Sequence, residues 1–226
     1  MNKHIKDFLN FDQFIETTFE GSINAHCLKR NLNGNFAEIV QKLTLKDDIT
    51  ELSITDLQQL QLSKEGIIAR DVIIKDYKLL QEKGTSPSLN LIKCYASDDD
   101  FDVFPTDVYS FHVDSSPIST DTFLCTYFGT CSEIISNEKA IQKILIPEIR
   151  KKLYALFDGD EKDFKDFLKD FHFDLHYEVN KSEKPINLGI GNLWKLAVNH
   201  PNQKVNPCIH RAPKENINEL RLLLIC

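Results

Sequence analysis

The stretch "FHVDSSPISTDTFLCTYFG", residues 111–129, decides how this chain is read. Its second half, "TFLCTYFG", is rich in aromatic and β-branched residues and closes on a glycine, the signature of a strand. Its first half ends a shorter strand with His112 and Asp114. On extended backbone, residues two apart share a face, so an imidazole and a carboxylate stand side by side. A polar loop containing Pro117 separates the two strands. Alone, such a pair reads equally well as a satisfied histidine beside a turn-capping aspartate.

A second H-x-D, His172 and Asp174 in "FHFD", competes for the same role. His172 ends a helical pattern in which Phe164, Phe167, Leu168 and Phe171 recur at helical spacing. There an imidazole simply favours the negative end of the helix dipole. In "DLHYEV", Leu175, Tyr177 and Val179 form one face and His176 and Glu178 a half-exposed other, so this copy reads as structural.

A two-histidine, one-carboxylate metal site needs one more histidine. "PCIHRAP" supplies His210 on a short apolar strand. It lies far enough past His112 for several intervening strands, and too close to His172 for them. Arg221 then opens the apolar strand "RLLLIC". A guanidinium there is costly unless it meets a carboxylate, which its planar fork binds bidentately. The competing reading is an edge arginine paired with Glu219. Arg211, next to His210, belongs on the opposite face of its strand.

Outward from this stretch, residues 88–226 read as short strands between turn signals: "LNLIKCYA", "DVYSFHVD", "TFLCTYFG", "DLHYEV", "LWKLAVN", "PCIHRAP" and "ELRLLLIC". Residues 138–172 read as a helical insertion. The first third reads as a helical annex, residues 1–84. There Ile68, Val72 and Leu79 or Leu80 form a stripe that stops at Gly84, and "TSPS" marks the break. The expected architecture is mainly β with α: a two-sheet β core, residues 85–226, with helices packed outside it.

Bulk composition narrows the classes. The net charge of −7 and a pI of about 5.5 argue against general nucleic-acid binding, because an acidic surface repels phosphate backbones. No apolar run is long enough to span a bilayer, and "MNKHIKDFLNFDQFIETTFEG" lacks the features of a signal peptide. The six cysteines form no C-x-x-C pair, so reduced thiols in a cytoplasmic protein are expected rather than disulfides or a thiolate zinc site.

Taken together, "HVD" at 112–114, "IHRAP" at 209–213 and "RLLLIC" at 221–226 resemble the ordered blocks of the iron(II)/2-oxoglutarate-dependent dioxygenases. "TFLCTYFG" is similar to the strand after H-x-D in the prolyl-hydroxylase-like branch, without the arginine common at that block's start. "GNLWKLAVNHP" resembles the strand before the distal histidine in many members. The order of blocks also resembles a bacterial domain family of unknown function with "HR-x-P" and "RLLL" elements, a likeness that carries no activity with it.

The resemblance implies a double-stranded β-helix of the jelly-roll or cupin-like kind, binding iron(II) through His112, Asp114 and His210. It implies 2-oxoglutarate held by Arg221, with Tyr127 a candidate contact, and O2 as co-reactant. The outcome implied is hydroxylation of a small amino-acid-like or peptide-derived substrate. Asp114 argues against halogenation, which dispenses with the carboxylate. Two other readings stay open: a cupin-like metal enzyme without 2-oxoglutarate, and a non-enzymatic β-sandwich binding module. The acidic run Asp98–Asp100 with Asp102 reads as a solvated loop or as an attractor of a cationic substrate.

Overall fold

Strand β5, Asp121–Phe128, is the central element, and both of its faces are covered. The computed structural model describes residues 3–97, 102–214, 216 and 219–226, so the run Asp98–Asp100 lies outside the described residues. The first third contains β1 (Ile5–Phe8), α1 (Phe11–Glu16), β2 (Ala25–Leu28), α2 (Phe36–Lys42), β3 (Ile49–Leu52), α3 (Ile54–Gln58) and α4 (Lys64–Glu82). Then come β4 (Ser88–Ile92), β5, β6 (Glu133–Ile135), β7 (Ala140–Gln142), α5 (Pro147–Leu156) and α6 (Phe164–Asp170). The chain ends with β8 (Tyr177–Val179), β9 (Ile186–Asn187), β10 (Leu193–Ala197), β11 (Ile209–Arg211) and β12 (Arg221–Ile225).

The protein is a mixed α/β structure built on an open seven-stranded sheet in the order β1-β2-β10-β5-β12-β4-β3. A three-stranded sheet, β11-β6-β9, and the pair β7-β8 complete it. Only β1 and β2 pair in parallel within the large sheet.

Three strands of the large sheet come from the segment whose sequence reads as helical. The first third is thus not a helical annex but part of the sheet, for a physical reason. β2, "AHCL", is buried on both faces, so it shows no alternation, and β1 and β3 are four-residue strands too short to show a period. Conversely, the expected strand "DVYSFHVD" shrinks to an isolated bridge at His112. The Asp107 carboxylate accepts from the backbone N–H of Tyr109 (3.0 Å) and Ser110 (3.2 Å), and this turn breaks the extended run.

Strand alternation sorts β5 into two faces. Phe123, Cys125 and Tyr127 join Leu222 and Leu224 of β12 and Leu89 and Leu91 of β4 on the side covered by the helices. The covering residues are Phe14, Ile39, Leu57, Ile73 and Leu80 from α1 to α4, all at 0% exposure. Each such side chain contributes about 1.5–3 kcal/mol on burial. On the other face Leu124, Leu223, Ile92, Trp194 and Leu196 pack with Ile134 of β6, so the small sheet lies against the large one.

Helix α4 starts at the N-cap Ser63, whose side chain accepts from the Gly66 N–H. The expected stripe through Ile68 is rotated. Ile68 is 41% exposed, while Ala69, Ile73, Asp76 and Leu80 face inward. Hydrophobic periodicity scores Asp76 as a surface residue. Its burial depends on Arg30, whose two terminal nitrogens donate to the two carboxylate oxygens at 2.6 Å each. The Tyr127 hydroxyl donates to the same carboxylate at 2.6 Å. The expectation that Tyr127 contacts a cosubstrate is therefore not met by its position. The residue is stacked on Phe36 beneath the helices, on the face of β5 away from Thr122 and Thr126.

No helix among the described residues is long and apolar enough to cross a membrane, and all six cysteines are free thiols.

The buried Arg30–Asp76–Tyr127 cluster ties β2, α4 and β5 together. Asp76→Ala leaves a buried guanidinium without its partner and should lower stability in urea titration by about 3–5 kcal/mol. Tyr127→Phe removes one bond to a charged acceptor and should cost about 1.5–3 kcal/mol. Metal affinity should be unchanged in Tyr127→Phe, which separates this residue from the centre described next.

Candidate metal centre

His112 and His210 face each other across an antiparallel bridge. Each backbone N–H donates to the other's carbonyl at 2.9 Å. Residues that exchange bonds in this way present their side chains on the same face. Their rings lie 4.5 Å apart between centroids. Asp114 follows two residues later. Its carbonyl accepts from the N–H of Asn199 (2.9 Å), which anchors the chain as it turns toward β5.

The side chains converge. Asp114 Oδ1 is 3.9 Å from His112 Nε2 and 3.6 Å from His210 Nε2. One potential ligand atom from each of the three residues lies within 4.8 Å of the others. Octahedral coordination with bonds of about 2.1 Å places neighbouring ligand atoms about 3 Å apart, so a contraction of roughly 1–2 Å closes the set on an ion. The cluster can hold a metal.

The far side of each ring fixes its tautomer. His112 Nδ1 is 2.8 Å from the Ser110 carbonyl, and His210 Nδ1 is 3.1 Å from the Cys208 carbonyl. A carbonyl only accepts, so Nδ1 carries the proton and Nε2 keeps its lone pair toward the centre. Burial, followed by the neighbouring His210, pushes His112 down to about 4, so it is the neutral, ligating form near neutrality. For Asp114, burial alone would raise the pKa. His210, the Thr122 hydrogen bond and His112 outweigh it, and the carboxyl lies below its ordinary range. Thr122 Oγ1 donates to Asp114 Oδ2 at 2.5 Å, which turns the other oxygen, Oδ1, to the histidines.

Arg221 heads β12 on the face that β5 shows to the small sheet. It is 3% exposed. Nη2 donates to Thr126 Oγ1 (3.2 Å) and Ser132 Oγ (2.9 Å), and Nη1 donates to the Tyr95 hydroxyl (3.2 Å). Thr122 and Thr126 are four residues apart on one strand, about 13 Å at the usual rise. The candidate metal ligands, on the small-sheet side, and Arg221, on the large sheet, thus lie toward opposite ends of the interior between the two sheets, with Leu124 between them on β5. Gly129 makes room for Arg221 to enter. Its φ is +84°, and a Cβ there would come within 2.6 Å of the Leu220 carbonyl and 3.0 Å of Arg221 Cα.

Four of the residues singled out in the sequence, His112, Asp114, His210 and Arg221, therefore face the interior between the two sheets. Tyr127 does not. Arg211 turns to the opposite face of β11 and pairs with Glu133 at 2.7 Å. His172 lies past the end of α6 in a left-handed conformation (φ +58°), and neither it nor Asp174 belongs to the cluster.

His176 is one residue the sequence reading missed. Read as half-exposed, it is 3% exposed and is bridged to His112, with ring centroids 5.6 Å apart. Phe104, distant in sequence, packs against it at 6.2 Å, and local alternation holds no sign of that. Thr122 and Thr126 were passed over as well, although their alternation with the large apolar residues of β5 was a signal that could have marked them. Comparison with known proteins yields no match to a family model, to a curated protein or to a solved structure.

His112→Ala and His210→Ala should each abolish binding of Co(II), followed by its visible absorption, whereas His172→Ala should bind as wild type. Thr122→Val should weaken binding by about 10–100-fold, the usual effect of removing a residue that orients a ligand. Thr122→Ser should restore it. Equal affinity in Thr122→Val would show that the threonine does not set the carboxylate.

Proposed function

We propose that the protein is an iron(II)- and 2-oxoglutarate-dependent oxygenase that hydroxylates a C–H bond of a small amino-acid-like or peptide-derived substrate. The observation that carries this reading is the convergence of two Nε2 atoms and one carboxylate oxygen, in the interior between the two sheets that also buries Arg221. Two histidines and a carboxylate on one side of an ion leave open positions, the arrangement of non-haem iron(II) oxygenases.

The strand order supports the same reading. From β4 onward the chain alternates between sheets: β4 in the large one, the His112 bridge segment beside the small one, then β5 large, β6 and β9 small, β10 large, β11 small and β12 large. Eight segments dealt between two packed sheets match a jelly roll, and we read the core as a double-stranded β-helix on that basis.

Bound iron(II) with 2-oxoglutarate would supply the oxidising chemistry, in which O2 and the cosubstrate yield succinate, carbon dioxide and a hydroxylated product. The chain's own residues hold and orient. His112 and His210 present their Nε2 atoms, and Thr122 keeps Asp114 turned to the same point. Arg221 receives the distal carboxylate of the cosubstrate. Tyr95, Thr126 and Ser132 fix the plane of its guanidinium, and their hydroxyls can donate to the same carboxylate. Leu124, Leu223 and Ile134 exclude water from the space between. Asp114 fills a position that a halogenase would leave to chloride.

A metal enzyme that does not use 2-oxoglutarate is the second reading. It is favoured by the three hydroxyls that already surround Arg221, since a purely structural arginine would be held in the same way.

Titration of the anaerobic iron(II) protein with 2-oxoglutarate, followed by the visible charge-transfer band, separates the two. Loss of a charge-assisted contact worth about 1.5–3 kcal/mol predicts roughly 10–100-fold weaker 2-oxoglutarate binding in Arg221→Ala. Arg221→Lys should recover part, keeping the charge but not the fork. Iron affinity should hold in both. Iron binding without a band in the wild type would select the second reading, and no iron binding at all would leave a binding module.

A further inference from the structure

The inner face of the small sheet carries a row of three imidazoles, His210, His112 and His176, set side by side by two antiparallel bridges. Phe104 packs on the far side of His176, and the ammonium of Lys143 lies 4.5 Å from the centroid of the Phe104 ring. Lys143 opens the short 3-10 turn Lys143–Leu145 that leads into α5, and its backbone N–H donates to the His176 carbonyl at 2.9 Å. Its Nζ donates to Ser110 Oγ at 2.9 Å, and the carbonyl of that same serine holds His112 Nδ1. One serine therefore joins the ammonium to a metal-ligand candidate, at a distance on the order of 10 Å from Nε2.

The surroundings of this lysine are unusual for a buried cation. Lys143 is 8% exposed, yet no carboxylate among the described residues lies within ion-pair distance of it. Asp107 and Glu178 act on it only from further away. Lys195, equally buried at 6% exposure, shows the ordinary solution: its Nζ donates to the carbonyls of Ile15 and Thr17 and pairs with Asp121 at 3.4 Å. A hydroxyl and a ring face satisfy an ammonium only in part. A desolvated cation without a counter-charge costs stability that a bound anion would return.

Resting on the metal-centre reading above, we propose that Lys143 binds a carboxylate of the substrate, with Phe104 flanking the carbon chain that leads to the reacting carbon. A single point-charge donor suits a monoanion, and no arginine fork stands beside it to clasp a phosphate. The substrate class is thus a carboxylic acid with an apolar or aromatic chain, which narrows the amino-acid-like assignment to its acid group.

The test uses four probes on one scaffold: 3-phenylpropionate, its amide, 3-phenylpropylamine and 3-phenylpropyl phosphate. Binding is read by proton relaxation near Mn(II) in protein saturated with 2-oxoglutarate, and by saturation-transfer NMR on the metal-free protein. The carboxylate should bind at least about tenfold more tightly than the amide or amine, a difference of roughly 1.4 kcal/mol. Lys143→Met should erase that preference, Lys143→Arg should keep most of it, and Phe104→Leu should weaken all four probes together. Lys143→Gln replaces Lys143→Met if the latter does not fold. Equal carboxylate binding in wild type and Lys143→Met, including binding straight to the metal, overturns the assignment. So does preference for the phosphate ester, or no binding of the carboxylate at millimolar concentration. If Mn(II) is not held but the metal-free protein still shows the Lys143-dependent preference, the metal reading fails and the carboxylate site stands.

Discussion

The reciprocal pair of backbone hydrogen bonds between His112 and His210 is the constraint on which the site depends. It sets two imidazoles from distant parts of the chain on one face, in register, without any contribution from their side chains. Shifting either segment by one residue would turn its histidine to the other face. The neighbouring carbonyls of Ser110 and Cys208 then fix both tautomers, so local backbone geometry delivers two lone pairs to one point. Asp114 is added by the chain direction, and Thr122 of β5 decides which of its oxygens turns inward.

β5 divides the molecule by function. Its odd-numbered residues, Phe123, Cys125 and Tyr127, belong to the helix-covered core, and Tyr127 closes the buried Arg30–Asp76 pair. Its even-numbered residues, Thr122, Leu124 and Thr126, face the small sheet and touch Asp114, the apolar interior and Arg221 in turn. A rigid backing on one face keeps the polar groups of the other at fixed spacing, which is what a preorganised site requires. The four helices of the first third therefore support the centre from behind the large sheet.

Buried charge is handled in three ways. Arg30 and Asp76 neutralise each other bidentately at 2.6 Å. Lys195 is satisfied by two carbonyls and Asp121. Lys143 is instead met by a hydroxyl and a ring face, on the side of the large sheet that holds the candidate metal ligands. Arg221, on the same side, donates to the hydroxyls of Tyr95, Thr126 and Ser132.

By itself the sequence singled out His112, Asp114 and His210, which the fold brings together. His112 and Asp114 share a face because a strand repeats every two residues, and His210 and Arg221 were marked by polar groups set in apolar strands. Gly84 ends α4 through a backbone rule that acts locally. Tertiary structure alone decided what periodicity cannot encode. β2 is buried on both faces and so carries no alternation, and Asp76 faces inward because Arg30 meets it across the fold. Tyr127 lies one residue from the inner face, and that single step of the pleat sends it to the helices. His176 is buried beside His112, and Phe104 packs on it, a contact between segments about seventy residues apart, at a separation where local patterning carries no signal.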